Sequence, residues 1–136
     1  MKEPSNVKLT YLYRDSGNYK AWGEVVFSNP SNLSVDVIEL RLRKALDMGC
    51  LFIAHQVQIP EVFLYLHEEV IIEDHCFHEF DSVVLSDEDP NDQHNRPIDF
   101  FVRQVEMESH RGWQAFDPFE RSQQLRNQSS FSNEAS

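Results

Sequence analysis

The 136-residue chain predicts an α+β domain. The expected architecture is a two-layer one, a mainly antiparallel sheet with two helices on one face, in the order β-β-α-β-β-α, followed by a disordered C-terminal tail. Three observations predict it. Apolar residues alternate on both sides of a short polar turn near the N-terminus, as in a half-buried hairpin. Two later windows place apolar residues at helical spacing between capping signals. The intervening apolar runs have strand length, and strand runs mixed with helices favour a sheet covered by helices. Residues 1–120 are expected to form one domain and residues 121–136 a flexible polar tail.

Val7, Leu9, Tyr11 and Tyr13 alternate with Lys8, Thr10, Leu12 and Arg14, which is a strand with one buried face. Asp15, Ser16, Gly17 and Asn18 read as the turn, because Gly and Asn tolerate positive φ. Residues 20–28, KAWGEVVFS, form the returning strand. Ser34 then predicts a helix N-cap, with Leu33 and Ile38 as its hydrophobic staple. Val35, Ile38, Leu42, Ala45 and Leu46 make the buried stripe, and Gly49 supplies a left-handed stop. LFIAHQVQI, residues 51–59, reads as a strand that Pro60 ends, because proline donates no ladder hydrogen bond. From Glu61 to Asp74 the signals mix: Val62, Phe63 and Leu66 have helical spacing, whereas Val70, Ile71 and Ile72 favour an extended chain. HCFHEFDSVVL, residues 75–85, is the next strand, and SDEDPNDQHNR a polar loop. The second helix is expected near Pro97, with Asn95 or Arg96 as cap, Ile98, Phe101, Val102 and Val105 inward, and Gly112 as its end. Trp113, Phe116 and Phe119 are expected to pack back onto the body. From Ser122 onward the chain has almost nothing to bury.

Composition narrows function by exclusion. The N-terminal stretch lacks the apolar core of a signal peptide, and no apolar run approaches the roughly 18 residues of a membrane span. A soluble, cytoplasmic protein is expected, with Cys50 and Cys76 reduced. The formal net charge of −11 is unevenly spread. Residues 1–50 hold seven Lys/Arg and six Asp/Glu, residues 51–99 hold one against twelve, and residues 100–136 hold four against five. Such a field opposes duplex nucleic acid and anionic membrane, and favours a basic partner. The four glycines form no phosphate-binding or dinucleotide fingerprint, and no G-x-S-x-G elbow is present.

The densest chemistry is EDHCFHEFD, residues 73–81. Strand alternation places Cys76, His78 and Phe80 on one face and His75, Phe77, Glu79 and Asp81 on the other. His75, Cys76 and His78 are the candidate metal ligands, with His55, His67 or Asp74 available as recruits, but two histidines on opposite faces need a bend to meet. A Cys76/His78 nucleophile pair shares a face yet has no oxyanion hole in view. The bland reading is a strand with an apolar row and an acidic rim. His55 reads as a core or pocket histidine, and Tyr11, Tyr13, Tyr19 and Trp22 as core aromatics with a secondary use in stacking on a ligand. Arg96, Arg103 and Arg111 are the candidates for holding an anion. Asp87, Glu88, Asp89 and Asp92 form the acidic loop, which lacks the register and glycine of a calcium-binding hand.

The segments KLTYLYRDSGNYKAWGEVVFSNP, FIAHQVQIPEVFLYL, DHCFHEFDSV and HRGWQAFDP together resemble a family of short, largely uncharacterised bacterial and phage-type proteins, over about Val7 to Phe119. They are also similar to phage anti-Thoeris sponge proteins. That resemblance implies sequestration of a nucleotide-derived signal without cleavage, although no binding residue matches position by position and the acidity of residues 51–99 opposes an anionic ligand.

The expectation is therefore a non-enzymatic acidic protein, without cofactor, that associates stoichiometrically with a protein of basic surface through Asp87, Glu88, Asp89 and Asp92, as an inhibitor, immunity or counter-defence protein would. Two alternatives stay open. One is a small-ligand binder using Tyr11, Tyr13, Trp22, His55, His78, Arg96 and Arg111; the other is a metal-dependent enzyme on His75, Cys76 and His78. Self-association is a further possibility left open by the sequence.

Overall fold

The computed structural model describes residues 5–64 and 74–135 of the chain. His67, Leu66 and the Val70, Ile71 and Ile72 run lie outside them. Within the described residues the protein is α+β, with a four-stranded antiparallel sheet and three α-helices.

The expected hairpin is present as β1, Asn6–Arg14, and β2, Lys20–Phe27. Its turn closes through the Asp15 N–H on the Tyr19 carbonyl at 3.0 Å and the Asn18 N–H on the Asp15 carbonyl at 3.0 Å. Asn18 takes the positive φ there, at 68°. In the register Tyr11 lies opposite Gly23. The Tyr11 ring crosses that glycine so closely that a Cβ on Gly23 would sit 2.6 Å from Tyr11 Cζ, so the position admits no side chain.

The first helix, α1 (Val35–Ala45), begins as expected, with the Ser34 hydroxyl accepting from the Val37 N–H at 3.2 Å. Ile38, Leu42 and Ala45 are its buried residues. After it the chain departs from expectation. The strand over residues 51–59 shortens to β3, Leu51–Phe52, and a 3-10 turn follows over Ala54–Val57. Gln58 closes that turn at φ 60°, where its N–H reaches the carbonyls of Ala54 and His55. These local bonds satisfy the backbone before Pro60 and remove it from the ladder.

β4, His78–Ser86, completes the sheet in the order β2-β1-β4-β3. A bulge between Thr10 and Tyr11 in the β1 register sets Tyr11 against Phe80 and Leu9 against Val83. Tyr11, Leu9, Phe80 and Val83 then share one core cluster with Ile38 and Leu42 of α1. The second helix, α2 (Ile98–Arg111), contributes Ile98, Phe101, Val102 and Val105 to the same cluster, as its spacing predicts. Its N-cap position is Pro97, not Asn95 or Arg96, and the Ile98 N–H instead donates to the Ser28 carbonyl at 2.8 Å. Gly112 ends it at φ 105°.

The C-terminal segment differs most from expectation. A third helix, α3, spans Pro118–Ala135 where a disordered tail is expected. Asp117 starts it: its carboxylate accepts from the Phe119 N–H at 2.9 Å and its carbonyl from the Arg121 N–H at 3.0 Å. An Asp-Pro pair at a helix entry is a sequence signal. Arg121 then pairs with Glu61, and Ser122 is buried. Trp113 packs inward, donating to the Ala45 carbonyl at 3.1 Å, and Phe116 meets Phe63, but Phe119 is exposed.

Candidate functional site

The alternation expected around His75–Phe80 holds. Cys76, His78 and Phe80 are buried, while His75, Phe77 and Glu79 are partly exposed on the other side. His78 is enclosed by Phe63 at 4.4 Å between ring centroids, with Tyr11 and Tyr13 each at 6.0 Å and Phe52 at 6.1 Å. Its Nε2 accepts from the Val62 N–H at 2.9 Å, which places the ring proton on Nδ1. Nδ1 has no hydrogen-bond partner among the described residues. Burial, with smaller contributions from His75 and His55, pushes the His78 pKa down to about 3. The imidazole is therefore a neutral core group.

His75 is fixed differently. Its Nδ1 accepts from the Phe77 N–H at 3.1 Å and its Nε2 lies 2.7 Å from the Arg14 carbonyl, which can only accept, so the ring proton sits on Nε2. Tyr13 donates to Asp74 at 2.7 Å and accepts from the His75 N–H at 3.2 Å. Together these bonds tie the segment before β4 to the end of β1. Cys76 is buried, and burial raises its thiol pKa, with the Phe116 N–H partly offsetting the rise. A raised, buried thiol is a poor nucleophile. His55 is exposed on the 3-10 turn rather than in an apolar row, with Phe116 5.3 Å away. Among the described residues no three His, Cys, Asp or Glu side chains are placed to share a metal ion.

The residues expected to form a ligand site are thus dispersed. Tyr11 and Tyr13 are core residues, Tyr11 donating to the Pro60 carbonyl at 2.6 Å. Trp22 is exposed on β2, and Arg111 is exposed on α2 beside Glu108 at 3.6 Å. Arg96 is not an anion receptor but an internal hub. Its guanidinium makes two bonds to the Asp92 carboxylate, at 2.8 and 2.9 Å, and others to the carbonyls of Val57 and Gln58 and to Gln104. It also lies 5.0 Å from the Phe101 ring centre. Burial would raise the Asp92 carboxyl pKa, but the bonds from the Arg96 side chain and backbone outweigh it and hold the pKa below its ordinary value. Asp92 is accordingly withdrawn from the surface that its loop was expected to offer.

Open clefts among the described residues include two of similar size. One of about 270 Å³ is lined by Arg14, Leu51, His75, Phe77 and Glu79, but Arg14 is already bound to Glu79 by two hydrogen bonds. The other, of about 260 Å³, runs beside α1 and α2, where Arg41 is bound in the same way to Glu106. Neither presents a guanidinium without a carboxylate partner.

The end of β4 and the loop after it are also accessible. Val84 and Leu85 are about half exposed, 48% and 49%. Their side chains leave the strand on opposite faces. Asp81, Asp87, Glu88 and Asp89 are exposed, with Glu88 held by Lys8 at 2.9 Å. The loop is rigidly seated: Asn91 returns two bonds to Val26, its side chain accepting at 2.8 Å and its backbone donating at 2.9 Å. No helix among the described residues is long and apolar enough to cross a membrane. Comparison with protein-family models, with curated proteins and with solved structures found no match to this chain.

Proposed function

We propose that the protein acts without catalysis, by stoichiometric association with a protein that presents a basic surface, the mode expected of an inhibitor, immunity or counter-defence protein. The observation that carries this is the exposed acidic run Asp87, Glu88 and Asp89 after β4, with Asp81 and Val84 also exposed along that strand. The groups that would otherwise suggest chemistry support it too, because His78, Cys76, Asp92 and Arg96 are buried and engaged in the fold. Apolar contact supplies short-range affinity, and the carboxylates speed encounter with a cationic partner.

The test compares capture of host proteins by the wild-type chain and by Asp87→Asn/Glu88→Gln/Asp89→Asn, in low and moderate salt. Asp92 is left intact because its carboxylate holds Arg96. A partner retained by the wild type, weakened by salt and lost with the triple variant supports the proposal. Equal retention by both proteins, with unchanged circular dichroism, removes the charged loop from the interface. Val84→Asp supplies a second arm, since it keeps the acidity and removes an exposed apolar side chain beside the loop.

A further inference from the structure

The outer edge of β2 is half sealed. Val26 directs its N–H and carbonyl away from β1, and Asn91 satisfies both. In an antiparallel ladder outward groups recur at every second residue, so Glu24, Trp22 and Lys20 point theirs the same way. Among the described residues these backbone groups have no hydrogen-bond partner. Their side chains are exposed; among the described residues Lys20 has no carboxylate partner, while Glu24 lies 3.7 Å from Lys8. The open segment is therefore Lys20–Glu24, bounded by the Asn91 seal at one end and the Asp15–Tyr19 turn at the other. Protein edges are normally blunted, and this one is blunted only in part.

We propose that this open edge of β2 is the interface of a homodimer, in which β2 pairs antiparallel with β2 of a second copy. The sequence KAWGE carries its own complement. With the two-fold axis at Trp22, Trp22 meets Trp22, and Lys20 of each copy faces Glu24 of the other. Each of these facing pairs exchanges two main-chain hydrogen bonds, and directly opposed residues are close enough for Lys and Glu to pair. The alternatives fit less well. Moving the register by two residues toward the strand's end sets Lys20 against the Val26 that Asn91 already occupies, and moving it the other way sets Glu24 against the turn. Among the described residues the outer edge of β4 beyond β3 also lacks a partner strand, but it lies beside Asp81, Asp87 and Asp89, so self-pairing there opposes like charges. Symmetry closes the β2 pairing at a dimer. The net charge of −11 on each copy opposes association and is screened by salt.

Sedimentation equilibrium of the full chain at near-physiological salt, from micromolar to near-millimolar concentration, tests it. A concentration-dependent dimer is expected. Lys20→Glu opposes two pairs of carboxylates across the axis and Glu24→Lys two pairs of ammonium groups, so each single variant weakens the dimer by about tenfold or more. Mixing the two variants restores a heterodimer, and combining both changes in one chain restores the homodimer. A wild-type chain that stays monomeric throughout overturns the proposal, as does a dimer indifferent to both reversals or a mixture that fails to recover. Recovery in the mixture also separates loss of pairing from loss of folding.

Discussion

His78 makes acid stability a sensitive probe of the core. Its side chain is fully buried among Phe63, Tyr11, Tyr13 and Phe52, and its pKa falls from 6.5 to about 3. In the unfolded chain the imidazole takes up a proton as pH drops through about 6.5, whereas the folded protein keeps it neutral until about 3. The unfolded state binds the proton first, so stability falls as pH is lowered across that window, by about 1.4 kcal/mol per pH unit once below 6.5. Between about pH 7.5 and about pH 5 the loss from this one group is about 2 kcal/mol. Urea unfolding of the wild type and of His78→Phe at both pH values measures it. The variant is expected to start about 1–3 kcal/mol less stable, because the Val62 N–H loses its buried acceptor. Its pH-dependent loss is nevertheless smaller than the wild type's by about 2 kcal/mol, the other titrating groups cancelling in the difference. Equal pH dependence in the two proteins refutes a buried neutral histidine.

Other perturbations test the packing around this core. Arg96→Leu leaves the Asp92 carboxylate buried and unpaired and is expected to lower stability by about 3–5 kcal/mol, read from the urea midpoint; a change near zero would mean the pair is solvated. Gly23→Ala drives a methyl into the Tyr11 ring, whose hydroxyl is anchored on Pro60, and should cost about 1–3 kcal/mol. Tyr11→Phe/Gly23→Ala does not relieve that clash, since the ring atoms remain, and full recovery in the double variant would refute the steric account. Native protein should show one readily alkylated thiol, Cys50, with Cys76 reacting only after unfolding, because Cys76 is buried and its pKa is raised. Equal native reaction rates for the two thiols contradict the closed environment of Cys76.

Patterns with a local physical cause were legible in the sequence. The alternation of Val7–Arg14 and the turn at Asp15–Asn18 specified the hairpin, and Ser34 with the Ile38 and Leu42 spacing specified α1. Strand parity alone separated His75 from His78, because successive side chains leave a strand on opposite faces. The Asp117–Pro118 entry to α3 was also present in the sequence, but the polar composition after it masks the signal. β3 stops at Phe52 because the 3-10 turn closed by Gln58 satisfies its own backbone, a choice that apolar content cannot reveal.

The sequence by itself determined the class of fold, the main helix and hairpin positions and the concentration of negative charge in residues 51–99. Those follow from periodicity, capping and counting, which need only neighbours along the chain. Tertiary structure alone decided which charged and polar groups remain available. Asp92 and Asp89 look alike in sequence, yet one is buried against Arg96 and the other is exposed. Likewise Asn91 seals Val26 and leaves Trp22 open, although both belong to the same strand. Burial and hydrogen-bond satisfaction depend on residues far apart in the chain, so the same side chain becomes a structural tie in one place and an exposed group in another.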